Sequence, residues 1–410
     1  MFRNIVMSVA LCLILASPAL LYCAEMVGLS LPTWLTVEDA YYLEGGKTWP
    51  KVADNATLAG FKSGKFQREL EKEVGNHIPC KAMALLGTAA LQREAISASN
   101  ALFGWPVYPA FYGSEYAVSP SEGRMLEMAE KATEETLALA AKVADGIDEF
   151  GVEWPDKRFF VYMGANSSYV EGSPTSHLVS NPLSYEQIED VFKAQGGEFT
   201  WVSGNVSYGD FNDLWYKSDH HWTVRGAYRA YLQIADAMGF GDEVLTPASI
   251  VELDDPLFYG TFARRALNDD YSDRLAYFEF EDYPELTVEI DGEQGGFEEL
   301  INHEAYESGE FNANKFANHY GEFYHWDHGF FSIANAAAES EEELLIVSDS
   351  YSNCLEYLLA PHFRTIYVCD PRNTEMKVGE MLEEHPGVTD VLFLMRKAEL
   401  VSGETLEALG

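Results

Sequence analysis

The sequence predicts an α/β protein whose parallel sheet is covered by helices on both faces. Three observations lead there. Short apolar runs such as Leu344-Leu345-Ile346-Val347 and Val391-Leu392-Phe393-Leu394-Met395 alternate with segments of helical period, and such runs fit strands buried on both sides. The runs give way to turn residues, Gly164 after one and Ser348-Asp349-Ser350 after another. The chain has 410 residues, 47% of them hydrophobic, enough for one large α/β domain with insertions or for two smaller ones.

Taken in order, the N-terminus opens with Arg3 and an uncharged apolar run from Ile5 to Ala24, closed by Glu25. Residues 1–25 read equally as a cleaved export signal and as a membrane anchor. Residues 26–410 form the body. A polar stretch reaches about Gly60, and a helical segment is expected over about 60–150. Within it, Phe66 to Leu91 has helical spacing. Ser119 to Phe150 reads as a second helix, with Ser121 as N-cap and a stripe of Leu126, Met128, Ala129, Ala132, Leu137, Leu139, Ala140 and Val143. Strands are expected at Arg158–Met163, Phe199–Val202, Leu344–Val347, Thr365–Val368 and Val391–Met395. Helices are expected at Tyr185–Gln195, at Thr223–Met238 with Gly239 as its stop, from the turn after Val347 to about Leu359, and through Met381 and Leu382. Between about 251 and 342 the chain turns rich in Asp, Glu, Tyr and Phe, with period-two pieces such as Ala276-Tyr277-Phe278-Glu279-Phe280. This reads as a β-containing insertion within one domain.

Lys and Arg total 27 against 66 Asp and Glu, a net charge of −39. That balance excludes nucleic acid, and docking on anionic lipid through a basic patch. Aromatics at 13% supply cores and suit a carbohydrate-facing surface. Of five cysteines, Cys12 and Cys23 fall in the leader. The odd remainder, Cys80, Cys354 and Cys369, is no disulfide framework. Three buried thiols, or one Cys354–Cys369 bridge, both fit. Without a CxxC there is no zinc knuckle, and no metal or cofactor is expected.

Two motifs carry chemistry. Ser348-Asp349-Ser350 follows a strand directly, which puts a serine on the rim where α/β active sites lie. The Ser350 N–H, at the mouth of the expected helix, would face a developing oxyanion; a plain helix cap is the alternative. Lys217-Ser218-Asp219-His220-His221-Trp222-Thr223 sets a carboxylate and an imidazole on one short loop, as a hydroxyl nucleophile needs. Adjacent histidines also suit a metal, and His220 also suits packing. Asn166, in the turn after Gly164, offers an oxyanion donor or a turn cap. Arg372, in Asp370-Pro371-Arg372-Asn373 on the same rim, contacts substrate or braces the loop. His319, His325, Asp327 and His328 lack a helical i, i+4 pair and read as surface and packing residues.

Together, "YKSDHHWTVRGAY" and the later "LLIVSDSYSN" resemble the DHHW protein family. That family is related to the SGNH-like alginate O-acetyltransferases, in which D-x-H-W-T and a downstream serine form the triad. Looser matches are "SGKFQRELEKEVGNHIP", "FYGTFARRA", "NKFANHYGEF" and "APHFRTIYVCDPRN". The resemblance implies an SGNH/flavodoxin-like three-layer sandwich, with Ser350 as nucleophile, His221 as general base and Asp219 as its orienter. Trp222 and Thr223 would shape the loop and Arg225 support it. Ser348 departs from the Gly of GDS-type motifs, and residues 164–168 lack the Lys that relatives often place there. The insertion is expected to wall the site, with Tyr259, Gly260 and Thr261 as contacts. The implied function is an exported acyltransferase that acetylates hydroxyls of an extracellular or cell-wall polysaccharide beside a membrane-bound O-acyltransferase that supplies the acyl group. A carbohydrate esterase with the same triad, and a non-catalytic glycan-binding or assembly protein, are the rival readings.

Overall fold

A computed structural model describes residues 2–30, 52–302, 308 and 312–410. Its centre is an eight-stranded sheet. In chain order its strands are β4 (Arg158–Gly164), β5 (Phe199–Val202), β8 (Thr287–Ile290), β9 (Glu293–Gly295), β10 (Phe330–Ala334), β11 (Glu343–Ser348), β12 (Thr365–Cys369) and β13 (Val388–Arg396). A small sheet is made by β1 (Tyr108–Pro109), β2 (Tyr116–Ser119) and β3 (Arg124–Glu127), and a two-stranded one by β6 (Ser249–Glu252) and β7 (Ala276–Glu279).

The large sheet runs β5-β4-β13-β11-β12-β10-β8-β9. Its first five strands are parallel. The last three, all from the 251–342 segment, extend it in antiparallel pairing. So the protein is α/β with a mostly parallel central sheet. The parallel strands are apolar because both faces are covered: Leu344, Ile346, Val347, Val391, Leu392, Phe393 and Leu394 have no exposed surface. Their C-terminal ends bring Gly164, Ser348, Cys369 and Arg396 to one rim.

The expected helix over Ser119–Phe150 is corrected. Residues 116–127 form the β2–β3 hairpin, which turns at Gly123 with φ +63°. Met125 packs with Tyr116, Val118 and Phe262 in a side cluster, whereas Leu126 enters the main core. Neighbours facing opposite ways are the signature of a strand, and the apolar stripe had merged two periods. The helix starts at Glu134, capped by the Thr133 hydroxyl on the Thr136 N–H at 3.1 Å. The Phe66–Leu91 segment is two helices, Lys65–Asn76 and Lys81–Phe103. They part at Ile78-Pro79, because the residue before proline is driven out of helical geometry.

After Ser350 the chain makes turns, and only Glu356–Leu359 is helical. The oxyanion argument from a helix mouth at Ser350 therefore falls. All five cysteines are free, Cys354 and Cys369 buried, so the bridge between them is not formed. The N-terminal segment is helical over Phe2–Met26, with Pro18 inside. Among the described residues no helix is long and apolar enough to cross a membrane.

Candidate active site

The loop bearing Asp219 and His221 is closed at its base by a bridge between Trp215 and Trp222. Tyr216 N–H donates to the His221 carbonyl at 3.1 Å, and Thr223 N–H to that of Leu214 at 2.8 Å. Below it, the buried Arg124 donates to the Tyr216 carbonyl at 2.8 Å and the Asn212 side chain at 2.8 Å. The Asp273 carboxylate accepts from Lys217 N–H at 2.9 Å and from Ser218 N–H and Oγ at 2.8 and 2.6 Å. A loop held at so many points keeps its side chains in one geometry.

Asp219 is buried, and Oδ1 accepts from His221 N–H at 2.9 Å and from Nδ1 at 2.6 Å. Its Oδ2 accepts from the Thr261 N–H. Gly260 makes that approach possible: a Cβ there would stand 2.2 Å from Asp219 Cβ. Burial alone would raise the Asp219 carboxyl, but His220, His221 and the Thr261 N–H together hold it well below the usual carboxylate range. With Nδ1 donating to Asp219, the other ring nitrogen of His221 is free to accept. That nitrogen, Nε2, lies 2.8 Å from Ser350 Oγ. The His221 ring stacks on Tyr320 with centroids 3.9 Å apart and planes at 6°, and the Tyr320 hydroxyl donates to the Ser350 carbonyl at 3.2 Å.

Ser350 sits on the turn after β11. Asp349 fixes that turn, accepting from Tyr351 N–H at 2.9 Å and, across the rim, from Arg396 N–H at 3.1 Å. Burial and nearby Glu399 push the Asp349 carboxyl up to about 7, against the pull of Tyr351 N–H, Arg372 and Arg396. Tyr351 packs on Gly164 and donates to the His220 carbonyl at 2.5 Å, tying the β4 rim to the histidine loop. Among the described residues no acceptor meets the Ser350 N–H.

Ser350 opens into a cavity of about 260 Å³. Its lining includes His220, Thr261, Tyr320, Glu127, Asp327 and four arginines, Arg264, Arg265, Arg372 and Arg396. The structure thus brings Ser350, His221, Asp219, Thr261 and Arg372 together. Arg372 is braced by Asp370 at 2.5 Å and Asp327 at 3.0 Å, and it lines the cavity. Trp222 and Asn166 take the loop-shaping and turn-capping roles expected of them and no place in the cavity lining, and the contact expected of Tyr259 is corrected. Trp222 is only 1% exposed, donates to Cys354 Sγ at 2.9 Å, and supports the loop without reaching the cavity. Asn166 is buried; its side-chain oxygen caps the turn at Ser168 N–H, 2.8 Å, and it bonds Glu127, so it is no part of the cavity lining. Tyr259 packs on Phe316 beneath Lys315, outside the cavity. Arg225 is exposed.

Sequence reading passed over Glu127, Tyr320, Arg264, Arg265 and Arg396 as site residues. Arg396 ends a rim strand, so the rule that located Ser350 would have found it. Glu127 was hidden by the helix reading, and Tyr320 by the aromatic density around it. Of His319, His325, Asp327 and His328, only Asp327 lines the cavity. Among the described residues the one group compact enough for a metal is Asp219, His220 and His221, where both nitrogens of His221 are already bonded to Asp219 and Ser350.

A serine, an imidazole and a carboxylate in sequence, at the C-terminal rim of a mostly parallel sheet, define the class of arrangement that nucleophilic α/β enzymes use. The comparisons with known proteins agree at the level of fold. The structure resembles PatB1 of Bacillus cereus with a sulfonyl adduct: 18% identity over 70% of this chain and 97% of that one, TM-score 0.56. It also resembles a DHHW family protein of Eubacterium siraeum DSM 15702, with 18% identity over 70% of this chain and 95% of that one, TM-score 0.54. No family model and no curated protein matches the sequence. The suspected DHHW relationship is thus matched among the structural neighbours, and the fold is the SGNH-like one it implied.

Proposed function

We propose that the protein is an exported, serine-dependent acyltransferase that places an acyl group, acetyl in the first instance, on hydroxyls of an extracellular or cell-wall polysaccharide. The observation that carries this reading is the 2.8 Å contact between Ser350 Oγ and His221 Nε2, with Asp219 2.6 Å from the other ring nitrogen. In the proposed reaction His221 takes the Ser350 proton as Oγ attacks the acyl carbonyl, and Asp219 offsets the imidazolium charge. The Ser350 N–H and the cavity's arginines are the donors available to the oxyanion. His221 then protonates the leaving group, and an acyl-Ser350 ester remains. A sugar hydroxyl gives its proton to His221 and attacks that ester; His221 returns the proton to Ser350 Oγ as the ester bond breaks, and the sugar leaves acylated. Water in place of the sugar would make the protein an esterase. The leader supports export. A membrane-bound O-acyltransferase supplying the acyl group is part of the same proposal, carried by the family resemblance.

The test uses an activated ester such as nitrophenyl acetate, which bypasses the natural donor. Turnover, with acetyl found on the Ser350 peptide by mass spectrometry, is expected. Ser350→Ala should abolish both, and His221→Ala should cost nearly as much because the groups act as one unit. Adding glycan fragments then separates the two enzymes: acetylated sugar marks a transferase, free acetate alone an esterase. Undiminished turnover by Ser350→Ala would overturn the mechanism.

A further inference from the structure

Beside the cavity at Ser350 lies a second one of about 450 Å³, lined by Ile290, Asp291, Glu293, Gln294, Glu299, His325 and His328 together with Gly295 and Trp326. The two meet at Trp326, which lines both. We propose that this second cavity is a sugar-binding subsite for a further unit of the acceptor chain, with Trp326 as its stacking platform, and that it takes a neutral or amino sugar and refuses a uronate. The proposal rests on the glycan reading above.

Trp326 is 52% exposed. A large indole left open between two polar cavities offers a flat apolar face to the C–H face of a sugar ring, with polar groups around it for the hydroxyls. Its posture is imposed by the fold. His325 and Trp326 both stand in the left-handed region, at φ +52° and +66°, which non-glycine residues rarely adopt. The Trp326 N–H donates to the Gly321 carbonyl at 2.7 Å. The indole lies so close over Gly321 that a Cβ there would stand 2.8 Å from Trp326 Cε3. Gly321 follows Tyr320, the ring stacked on His221, so the platform keeps a fixed place relative to the base.

The chemistry of the lining sets the ligand. Among the described residues, Asp291, Glu293 and Glu299 line the second cavity and no Lys or Arg does, the reverse of the four arginines around Ser350. Carboxylates accept hydrogen bonds from hydroxyl and ammonium groups, and repel a uronate carboxylate. Asp291 and Gly292, at φ +53° and +81°, form the tight turn of the β8–β9 hairpin, which holds this acidic wall in place.

The test measures binding by calorimetry to the full chain carrying Ser350→Ala. The probes are glucosamine, N-acetylglucosamine and galacturonate oligomers of increasing length. Affinity for the first two should rise about ten-fold once the oligomer spans both cavities, the upper end of what one aromatic contact supplies. Trp326→Ala should remove that gain, Trp326→Phe should keep part of it, and Gly321→Ala, which displaces the indole, should reduce it. Galacturonate should show no gain. A gain that survives Trp326→Ala, an equal gain with galacturonate, or no gain with any oligomer would overturn the subsite. Circular dichroism of each variant excludes misfolding. Nitrophenyl acetate turnover by the unsubstituted protein tests the triad separately: length-dependent binding without turnover sinks the catalytic reading alone, and turnover without length-dependent binding sinks the subsite alone.

Discussion

Replacing Gly260 by alanine tests whether Asp219 acts through position. Gly260 has φ −71° and ψ −174°, open to any residue, so the cost of a side chain is contact and not backbone strain. The added Cβ would stand 2.2 Å from Asp219 Cβ, 2.5 Å from Oδ2 and 2.7 Å from the Ser218 carbonyl. Relief needs a shift of about 1 Å, and misplacement by that much costs on the order of 100-fold in rate. It would strain the 2.6 Å bond to His221 Nδ1 and the Thr261 N–H contact. Overpacking a filled site also destabilises by about 1–3 kcal/mol. The expected result is a folded G260A protein, with kcat for nitrophenyl acetate down about 100-fold and a lowered urea midpoint. KM should move little, because Gly260 does not line the cavity. If G260A is folded and keeps kcat within about three-fold of the parent, orientation by Asp219 is not limiting and the reasoning fails.

Tyr320→Phe removes the hydroxyl bonded to the Ser350 carbonyl but keeps the ring on His221; kcat/KM should fall about five-fold, one hydrogen bond's worth, and Tyr320→Ala should fall much further. Trp222→Phe should lower stability by about 1–3 kcal/mol in urea, through a small cavity and the lost bond to Cys354, with less than a ten-fold change in kcat because Trp222 does not reach the cavity. Glu356 is pushed up to about 7 by burial, against the Ser352 hydroxyl that bonds it. The folded state therefore holds a proton that the unfolded chain has already lost between about pH 4.5 and 7, and stability drops as pH rises through that window by about 3 kcal/mol. Glu356→Gln has no proton to hold, so the stability difference between it and the parent should grow by about 3 kcal/mol in its favour from pH 4.5 to 8; a constant difference in urea melts would show that the carboxyl is not buried as described.

What the sequence determined by itself is what local periodicity and short-range geometry encode. The five parallel strands were legible because a strand buried on both faces is a continuous apolar run, as in Leu344–Val347 and Val391–Met395. The Asp219–His221 pair was legible because it is local: one carboxylate oxygen meets both the N–H and the ring nitrogen of the residue two further on. Tertiary structure alone decided the rest. Ser350 lies 129 residues from His221, and no periodicity spans that distance. Glu127, Arg264, Arg372, Arg396 and Trp326 converge on the cavity from separate segments, and a polar or exposed side chain carries no repeat that reveals its neighbours. The β2–β3 hairpin was misread because Met125 and Leu126 are equally apolar and go to different cores. A pattern records that a residue is buried; which core buries it is settled only when the chain has folded.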